Sequence, residues 1–285
     1  MKKLMSALLA ISLLCGAALA DGMEPAFEGQ ELKLNERAAI DLDGDGAQEE
    51  VLVQQEGVEG EEELALYVFG ADGGVVSHTM YVRMMTGAFV ADLDGDGLQE
   101  ILISADVFSD DYCTFAFRYS DETGLSQIQF ANVSRGEIEE DYAECGYGMV
   151  TRAEGNSITL TGSQDVLGTW MASRVFTLQG DRFETQDDGL YQMLDLTGDA
   201  EIWEYYCLIP TVQISVKLAD GSDGVLEPGE KFVVTASDRE SIVYFETQDG
   251  KTGSISVEPD AEYGWGFLVN GEKEENCFEY VPYAD

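Results

Sequence analysis

The amino-acid sequence predicts an all-β protein, in which a partial or small propeller-like array of β repeats is followed by a small β-barrel. An acidic, glycine-punctuated stretch occurs twice, beginning at Asp41 and again at Asp92, 51 residues later. Each copy runs directly into aliphatic residues that favour strands. A period of about 50 residues, with about four strands in each unit, is typical of propeller blades or stacked β units.

The N-terminus has the pattern of a secretory signal over residues 1–20, with a basic start, an apolar core from Leu8 to Leu14 and a small-residue cleavage site ending at Ala20. The apolar run is too short to favour a membrane span, and no second run of membrane length follows. We therefore predict a secreted or periplasmic protein without a membrane span. Residues 21–30 are predicted to be a flexible lead at the new terminus.

The two acidic stretches carry the oxygen side chains that a hard cation needs. Calcium takes about six to eight oxygens, and a short loop supplies most of them when alternate side chains point inward. Gly46 and Gly97 permit the sharp turn. The predicted calcium ligands are Asp41, Asp43, Asp45, Glu49 and the carbonyl of Ala47 in loop 1 (41–49), and Asp92, Asp94, Asp96, Glu100 and the carbonyl of Leu98 in loop 2 (92–100).

These loops differ from an EF-hand, which needs a glutamate at position 12 and a helix on each side. Position 12 is Leu52 in the first copy and Ile103 in the second. Strand-type residues both precede and follow each loop, so each loop is predicted to connect two strands.

This strand–loop–strand form resembles the calcium-binding FG-GAP repeat of integrin-α-type β-propellers and of related bacterial repeat proteins. The run-in to loop 2, Gly87-Ala88-Phe89-Val90-Ala91, is also similar to that family. The resemblance implies calcium at the ligand positions given above and a calcium-binding β-repeat domain over residues 31–208. The alternative, an acidic solvated turn without metal, remains open.

A third, degenerate loop begins at Asp195, 103 residues after loop 2 and thus close to two periods later. Oxygen-bearing side chains stand at its positions 1, 3 and 5, but Ala200 replaces the glycine and Trp203 stands at position 9. Weak calcium binding and no binding are both compatible with this pattern.

A change of pattern at Ile209-Pro210 marks a second domain over residues 209–285, where short strands alternate with turns and the acidic loop does not recur. Asp249–Gly253 has the composition of a hairpin turn. This part looks like a small SH3-like barrel of bacterial type. Ser254 stands where that family often has an aromatic residue, which puts peptide or wall binding through this groove in doubt.

The net charge excludes some classes of partner, and the cysteines are candidates for disulfides. The formal net charge is −41, so the protein will repel nucleic acid and anionic membranes and will gain from bound cations. Four cysteines follow the signal, and an exported compartment permits disulfides. Of the three possible pairings, the local one is favoured: Cys113 with Cys145, and Cys207 with Cys277.

No catalytic constellation stands out. His78 is the only histidine and lies in a strand-like run, and no nucleophile elbow occurs. The aromatic clusters at 203–206 and 263–265 are predicted either to stack on a sugar or protein partner or, more commonly, to pack in the core. We therefore predict a non-enzymatic, exported, calcium-binding module that binds a protein or glycan. The alternatives are a secreted hydrolase of unassigned substrate and a structural subunit.

Overall fold

The computed structural model describes residues 29–58, 61–108, 111–130, 145–185, 189–194, 198, 201–261 and 266–283. The predicted signal at 1–20 and residues 21–28 of the predicted lead lie outside this part of the chain. Residues 195–200 of the third loop, apart from Gly198, and the aromatic pair Tyr263 and Trp265 also lie outside it.

The described residues confirm an all-β protein, with twenty-two strands. Its other regular elements in this part of the chain are a π-helical turn at Ile202–Tyr206 and a short helix, α1, at Glu274–Cys277. The strands are β1 Gln30–Glu31, β2 Arg37–Ile40, β3 Glu49–Val58, β4 Glu61–Phe69, β5 Val75–Met80, β6 Met84–Ala91, β7 Glu100–Phe108, β8 Asp111–Ser120, β9 Gly124–Phe130, β10 Gly146–Tyr147, β11 Met149–Glu154, β12 Ser157–Asp165, β13 Thr169–Gln179, β14 Arg182–Thr185, β15 Tyr191–Met193, β16 Ile214–Leu218, β17 Asp223–Leu226, β18 Phe232–Ser237, β19 Ile242–Thr247, β20 Thr252–Pro259, β21 Phe267–Val269 and β22 Glu272–Lys273.

The chain forms two compact units. The loop-bearing unit comprises Met23–Gly162 and Val175–Asp188, and the second unit contains Ser163–Arg174 and Gly189–Asp285. The predicted domain boundary at residue 208 falls inside the second unit, since β15 and the π-helical turn belong there.

Two antiparallel sheets with the same strand plan form the first half of the loop-bearing unit. Strands β2, β3, β4 and β5 make one four-stranded meander, and β6, β7, β8 and β9 make the other. Loop 1 joins β2 to β3, and loop 2 joins β6 to β7. Each loop therefore connects two adjacent antiparallel strands, as predicted.

The two sheets share an apolar cluster, here called cluster A, to which Val51 and Val53 of β3 and Ile101 and Ile103 of β7 contribute. The alternate residue of β7, Leu102, lies in a second cluster, cluster B, with side chains of β9 and β11–β14. Strand β7 is thus buried on both faces, because side chains alternate across a strand. This explains why Ile101-Leu102-Ile103 is an unbroken apolar run.

Equivalent residues of the two repeats pack in successive apolar clusters. Leu42 of loop 1 and Val51 of β3 contribute to cluster A, and their equivalents 51 residues later, Leu93 and Leu102, contribute to cluster B. The same positions in each repeat therefore pack against the layer that follows. The sequence period is accordingly a period of the packing.

The second unit contains a meander of β18, β19 and β20, extended on one side by β16 and β17. Its described strands do not close into a barrel. The other edge of β18 is occupied by β15, with Tyr191 opposite Ser237, so this edge is not available to pair with β17. The small barrel predicted for 209–285 is therefore not formed by these strands.

The cysteine pairing predicted in the second unit is also corrected. Cys207 donates its thiol to the carbonyl of Trp203, at 3.3 Å, and Cys277 lies 3.7 Å from the carbonyl of Val269. Both are buried thiols, so no disulfide joins them. Cys113 and Cys145 are both buried in cluster A. Over the described part of the chain, no helix has the length and apolar character needed to cross a membrane.

The layered packing predicts unequal costs at two equivalent positions. Ile103 is fully buried in cluster A, whereas its repeat equivalent, Leu52, is only half-buried. We expect Ile103→Ala to lower the free energy of unfolding by about 2–5 kcal/mol and Leu52→Ala to cost less than about half as much. Urea denaturation of the purified protein measures both, and equal costs would contradict the layered arrangement.

Candidate metal centre

The two loops fold in the same way around their aspartates. In each loop, one carboxylate oxygen from positions 1, 3 and 5 lies within 4.8 Å of the other two, giving the clusters Asp41, Asp43, Asp45 and Asp92, Asp94, Asp96. Backbone amides turn each loop around its first aspartate. The N–H of Gly46 donates to Asp41 at 3.0 Å, and that of Gly97 donates to Asp92 at 3.1 Å.

The glutamate at position 9 anchors each loop to the sheet. Glu49 accepts a hydrogen bond from the N–H of Leu42 at 2.8 Å, and Glu100 accepts one from the N–H of Leu93 at 2.9 Å. Both glutamates are almost fully buried, and burial raises the pKa of each carboxyl above its ordinary value. The leucines pack in clusters A and B, so each loop is fixed by one apolar and one polar contact.

The other predicted ligands are not part of the two aspartate clusters. Glu49 and Glu100 lie outside the two aspartate clusters. The amides of Ala47 and Leu98 donate to Asp45 and Asp96, at 2.6 and 2.8 Å. Ligation by the two glutamates and by the carbonyls of Ala47 and Leu98 stays a prediction.

The two loops are in direct contact. The N–H of Gln99 in loop 2 donates to the carbonyl of Leu42 in loop 1 at 2.8 Å. Gly44 has a φ of +73°, and a β-carbon added there would lie 2.8 Å from the carbonyl oxygen of Gly97. Two clusters of carboxylates are therefore held side by side, where their mutual repulsion opposes folding.

Loop 1 has a further acidic neighbour in the turn between β8 and β9. The N–H of Asp121 donates to Asp43 at 3.2 Å, and the Asp121 carboxylate accepts a hydrogen bond from the hydroxyl of Tyr119 at 2.8 Å. Burial and this hydrogen bond raise the pKa of Tyr119, so the hydroxyl stays protonated. A fourth aspartate, which the sequence pattern did not indicate, thus borders the loop 1 cluster.

The donor set of loop 1 could hold a hard divalent cation. Oδ1 of Asp41 is buried and has no hydrogen-bond partner, which is costly for a carboxylate oxygen unless a cation completes it. No described basic side chain forms a salt bridge with Asp41, Asp43 or Asp45. Carboxylate oxygens are ligands of hard cations such as Ca²⁺ and Mg²⁺, and no described base competes for them here.

Among the described residues, loop 2 has a basic side chain beside it, unlike loop 1. The guanidinium of Arg118, on β8, donates to Glu100 through Nε at 2.8 Å and contacts the same oxygen through Nη2. Nη2 also lies 3.3 Å from Asp94 and 4.0 Å from Asp96. Burial opposes the charge of Arg118, but these carboxylates outweigh it and raise the pKa of the guanidinium.

Other candidate residues from the sequence have structural contacts. His78 lies in β5 with its ring centroid 4.9 Å from that of Phe117. Trp203 and Tyr206 pack against the core of the second unit, whereas Tyr205 is 59% exposed. The aromatic cluster at 203–206 is therefore mainly packing.

Comparison of the chain with protein-family models, with curated proteins and with solved structures finds no match. The assignment of this site therefore depends on its own residues and their geometry.

The loop pattern in the sequence does not indicate Arg118 or Asp121. Both are remote in sequence from the aspartates that they contact, and β8 brings them there. Arg118 is opposite Glu100 in the β7–β8 register, so aligning the second hairpin with the first would have exposed the difference between the repeats.

A buried carboxyl outside the loops bears on the hydrolase alternative. Glu274, in α1, accepts a hydrogen bond from the hydroxyl of Tyr283 at 2.8 Å, and its Oε2 is buried without a partner. Burial raises the pKa of Glu274, and the nearby Asp260 raises it further. Lys273 pairs with Asp260 at 3.6 Å. Both carboxyls are therefore held in structural contacts.

Because the two loops approach closely at Gly44, alanine should cost more stability there than at Gly46. Gly44 and Gly46 both have positive φ, but a β-carbon at Gly46 meets nothing within 4 Å. We expect Gly46→Ala to cost about 1 kcal/mol of unfolding free energy and Gly44→Ala at least about 1 kcal/mol more. Denaturation in chelator gives both values, and equal costs would contradict the contact between the loops.

Glu274 predicts a pH-dependent stability. Because the pKa of Glu274 is raised in the folded protein, the folded protein holds this proton more tightly than the unfolded chain does. The free energy of unfolding therefore falls as pH rises from the unfolded pKa through the folded pKa. Glutamine keeps an acceptor for Tyr283 without the charge. We expect Glu274→Gln to raise the Tm at about pH 7.5, with a smaller gain at about pH 5.

Thermal melts at the two pH values check this effect. The exposed Glu258 of β20 provides the control, since Glu258→Gln should change the Tm little at either pH. A lower Tm for Glu274→Gln at neutral pH would show that its charge is stabilising instead.

Proposed function

We propose that this protein is a non-enzymatic, calcium-stabilised, exported β-repeat module that binds a protein or glycan. The observation that carries the proposal is loop 1. Three aspartate oxygens converge there within 4.8 Å, one buried oxygen has no partner, and no described basic side chain pairs with the cluster. A bound calcium would satisfy the orphaned oxygen and reduce the repulsion between loops 1 and 2.

The repeat architecture supports a relationship to FG-GAP repeats. Each loop joins the first two strands of a four-stranded antiparallel meander, which is the strand number of a propeller blade. Equivalent residues of successive repeats pack against successive layers, as Leu42 and Leu93 do. We therefore propose a stacked, propeller-like array for the loop-bearing unit, with calcium as a structural ion.

A binding role is preferred over hydrolysis because the described carboxyls with raised pKa have structural partners. Glu49 and Glu100 anchor the loops, and Glu274 accepts from Tyr283. The exposed aromatic rings of Tyr205 and Tyr280 offer stacking surface to a sugar or protein. The proposed export follows from the signal pattern at residues 1–20, and the charge of −41 disfavours nucleic acid as a partner.

Thermal unfolding tests the calcium site. A ligand that binds only the folded state at a hundredfold excess over its dissociation constant adds about 2.7 kcal/mol, which we expect to raise the Tm by roughly 5–10 °C. The rise should require calcium rather than magnesium and should be lost when Asp43 and Asp94 are both changed to Ala.

The control is Asp249→Ala, which removes one carboxylate from an exposed turn of the second unit and should keep the full calcium effect. Equal melting temperatures in calcium and in EDTA would identify the loops as acidic turns without metal.

A further inference from the structure

The two loops are equal in sequence pattern but unequal in their surroundings. In the second repeat, β7 and β8 pair with Glu100 opposite Arg118. In the first repeat, Glu50 pairs with Phe69 at the end of the β3–β4 ladder that lies next to loop 1. Continuing this register by one residue places Gly70 opposite Glu49. The residue that supplies a guanidinium to loop 2 is thus replaced at loop 1 by a residue without a side chain.

The surroundings of Gly70 are acidic. A β-carbon added to Gly70 would lie 2.8 Å from the Tyr119 hydroxyl, 3.1 Å from a carboxylate oxygen of Asp72 and 3.7 Å from one of Asp121. At loop 1, the place equivalent to the Arg118 side chain is therefore bordered by oxygen atoms.

The position-3 aspartates show the same difference. The outer oxygen of Asp43 accepts the backbone N–H of Asp121, whereas that of Asp94 faces the Arg118 guanidinium. The position-1 aspartates differ as well. Asp92 uses both oxygens, since Oδ1 accepts from Gly95 at 2.8 Å and Oδ2 from Gly97, whereas Oδ1 of Asp41 is buried without a partner.

Arg118 is well placed to act as a fixed cation. Its side chain is 17% exposed, Glu100 is completely buried, and Nη1 lies 3.4 Å from the carbonyl oxygen of Gly180. A guanidinium keeps its charge at all physiological pH values, and its planar donors match carboxylate oxygens. A metal ion entering loop 2 would have to displace it and leave a buried arginine without its main partner, which is costly.

We propose that the Arg118 guanidinium takes the place of a metal ion in loop 2, so that loop 1 alone binds calcium in the native protein. This inference rests on the proposed calcium-binding function and gives it a stoichiometry of one. It also assigns Arg118 a regulatory position: the residue determines how many ions the pair of loops accepts.

Isothermal titration of the purified protein with calcium chloride tests the inference through the number of sites. The wild type should bind one ion per chain. Asp43→Asn should abolish that binding, and Asp94→Asn, the equivalent change in loop 2, should retain one ion. In Arg118→Ala a second ion should bind, and its binding should be lost again in the double variant with Asp94→Asn.

Arg152→Ala is the matched control, because Arg152 is an exposed arginine of the same unit that pairs with Glu154. This variant should still bind one ion. We also expect Arg118→Ala to have a lower Tm than the wild type in EDTA and to regain most of that loss in calcium, whereas a merely structural role for Arg118 would give a loss that calcium does not recover.

Two equivalent ions in the wild type, or binding that depends on Asp94 and not on Asp43, would overturn the inference and leave the calcium proposal standing. If the wild type binds no calcium, the proposed function itself fails. The two aspartate variants retain Arg118, so they decide the question even if Arg118→Ala does not fold.

Discussion

Repulsion among carboxylates that the fold holds close together is the constraint on which the loop-bearing unit depends. Loops 1 and 2 touch through the hydrogen bond from Gln99 to Leu42 and through the close approach of Gly44 to Gly97. Neither loop can move away freely, because Leu42 and Leu93 are buried and the glutamates tie their amides to the sheets. Packing therefore brings the negative charges together, and the calcium ion that we propose at loop 1 would offset part of their repulsion.

Residues of strand β8 and of the turn after it contact both loops. Adjacent residues of a strand point to opposite faces, so Arg118 reaches loop 2 on one side while Tyr119 packs in cluster A on the other. Tyr119 holds Asp121, whose amide contacts Asp43 in loop 1. Strand β8 thus supplies a positive charge to loop 2, and the turn that follows it places Asp121 beside loop 1. We infer that this division makes one loop a metal site and the other an internal salt bridge.

The sequence predicted the local features well, because the loop pattern and the apolar runs beside it are encoded within a few residues. The strands that flank loops 1 and 2 are present, and the glycines take the expected positive φ. The remote features were missed. Arg118 and Asp121 reach the loops only through strand pairing, and the barrel does not close because β15 occupies the edge of β18. Cys207 and Cys277 are buried thiols that contact backbone carbonyls rather than each other. These depend on contacts between distant segments, which spacing alone does not specify.

An anomalous difference map, recorded at a long wavelength from crystals grown in calcium, would show directly which loop holds the ion. We expect a peak at loop 1, with oxygens of Asp41, Asp43 and Asp45 at roughly 2.3–2.6 Å from it. At loop 2, the Arg118 guanidinium should remain between Asp94 and Glu100 without an anomalous peak. An ordered loop 1 with no peak, at a calcium concentration well above that of the protein, would show that loop 1 is not a calcium site.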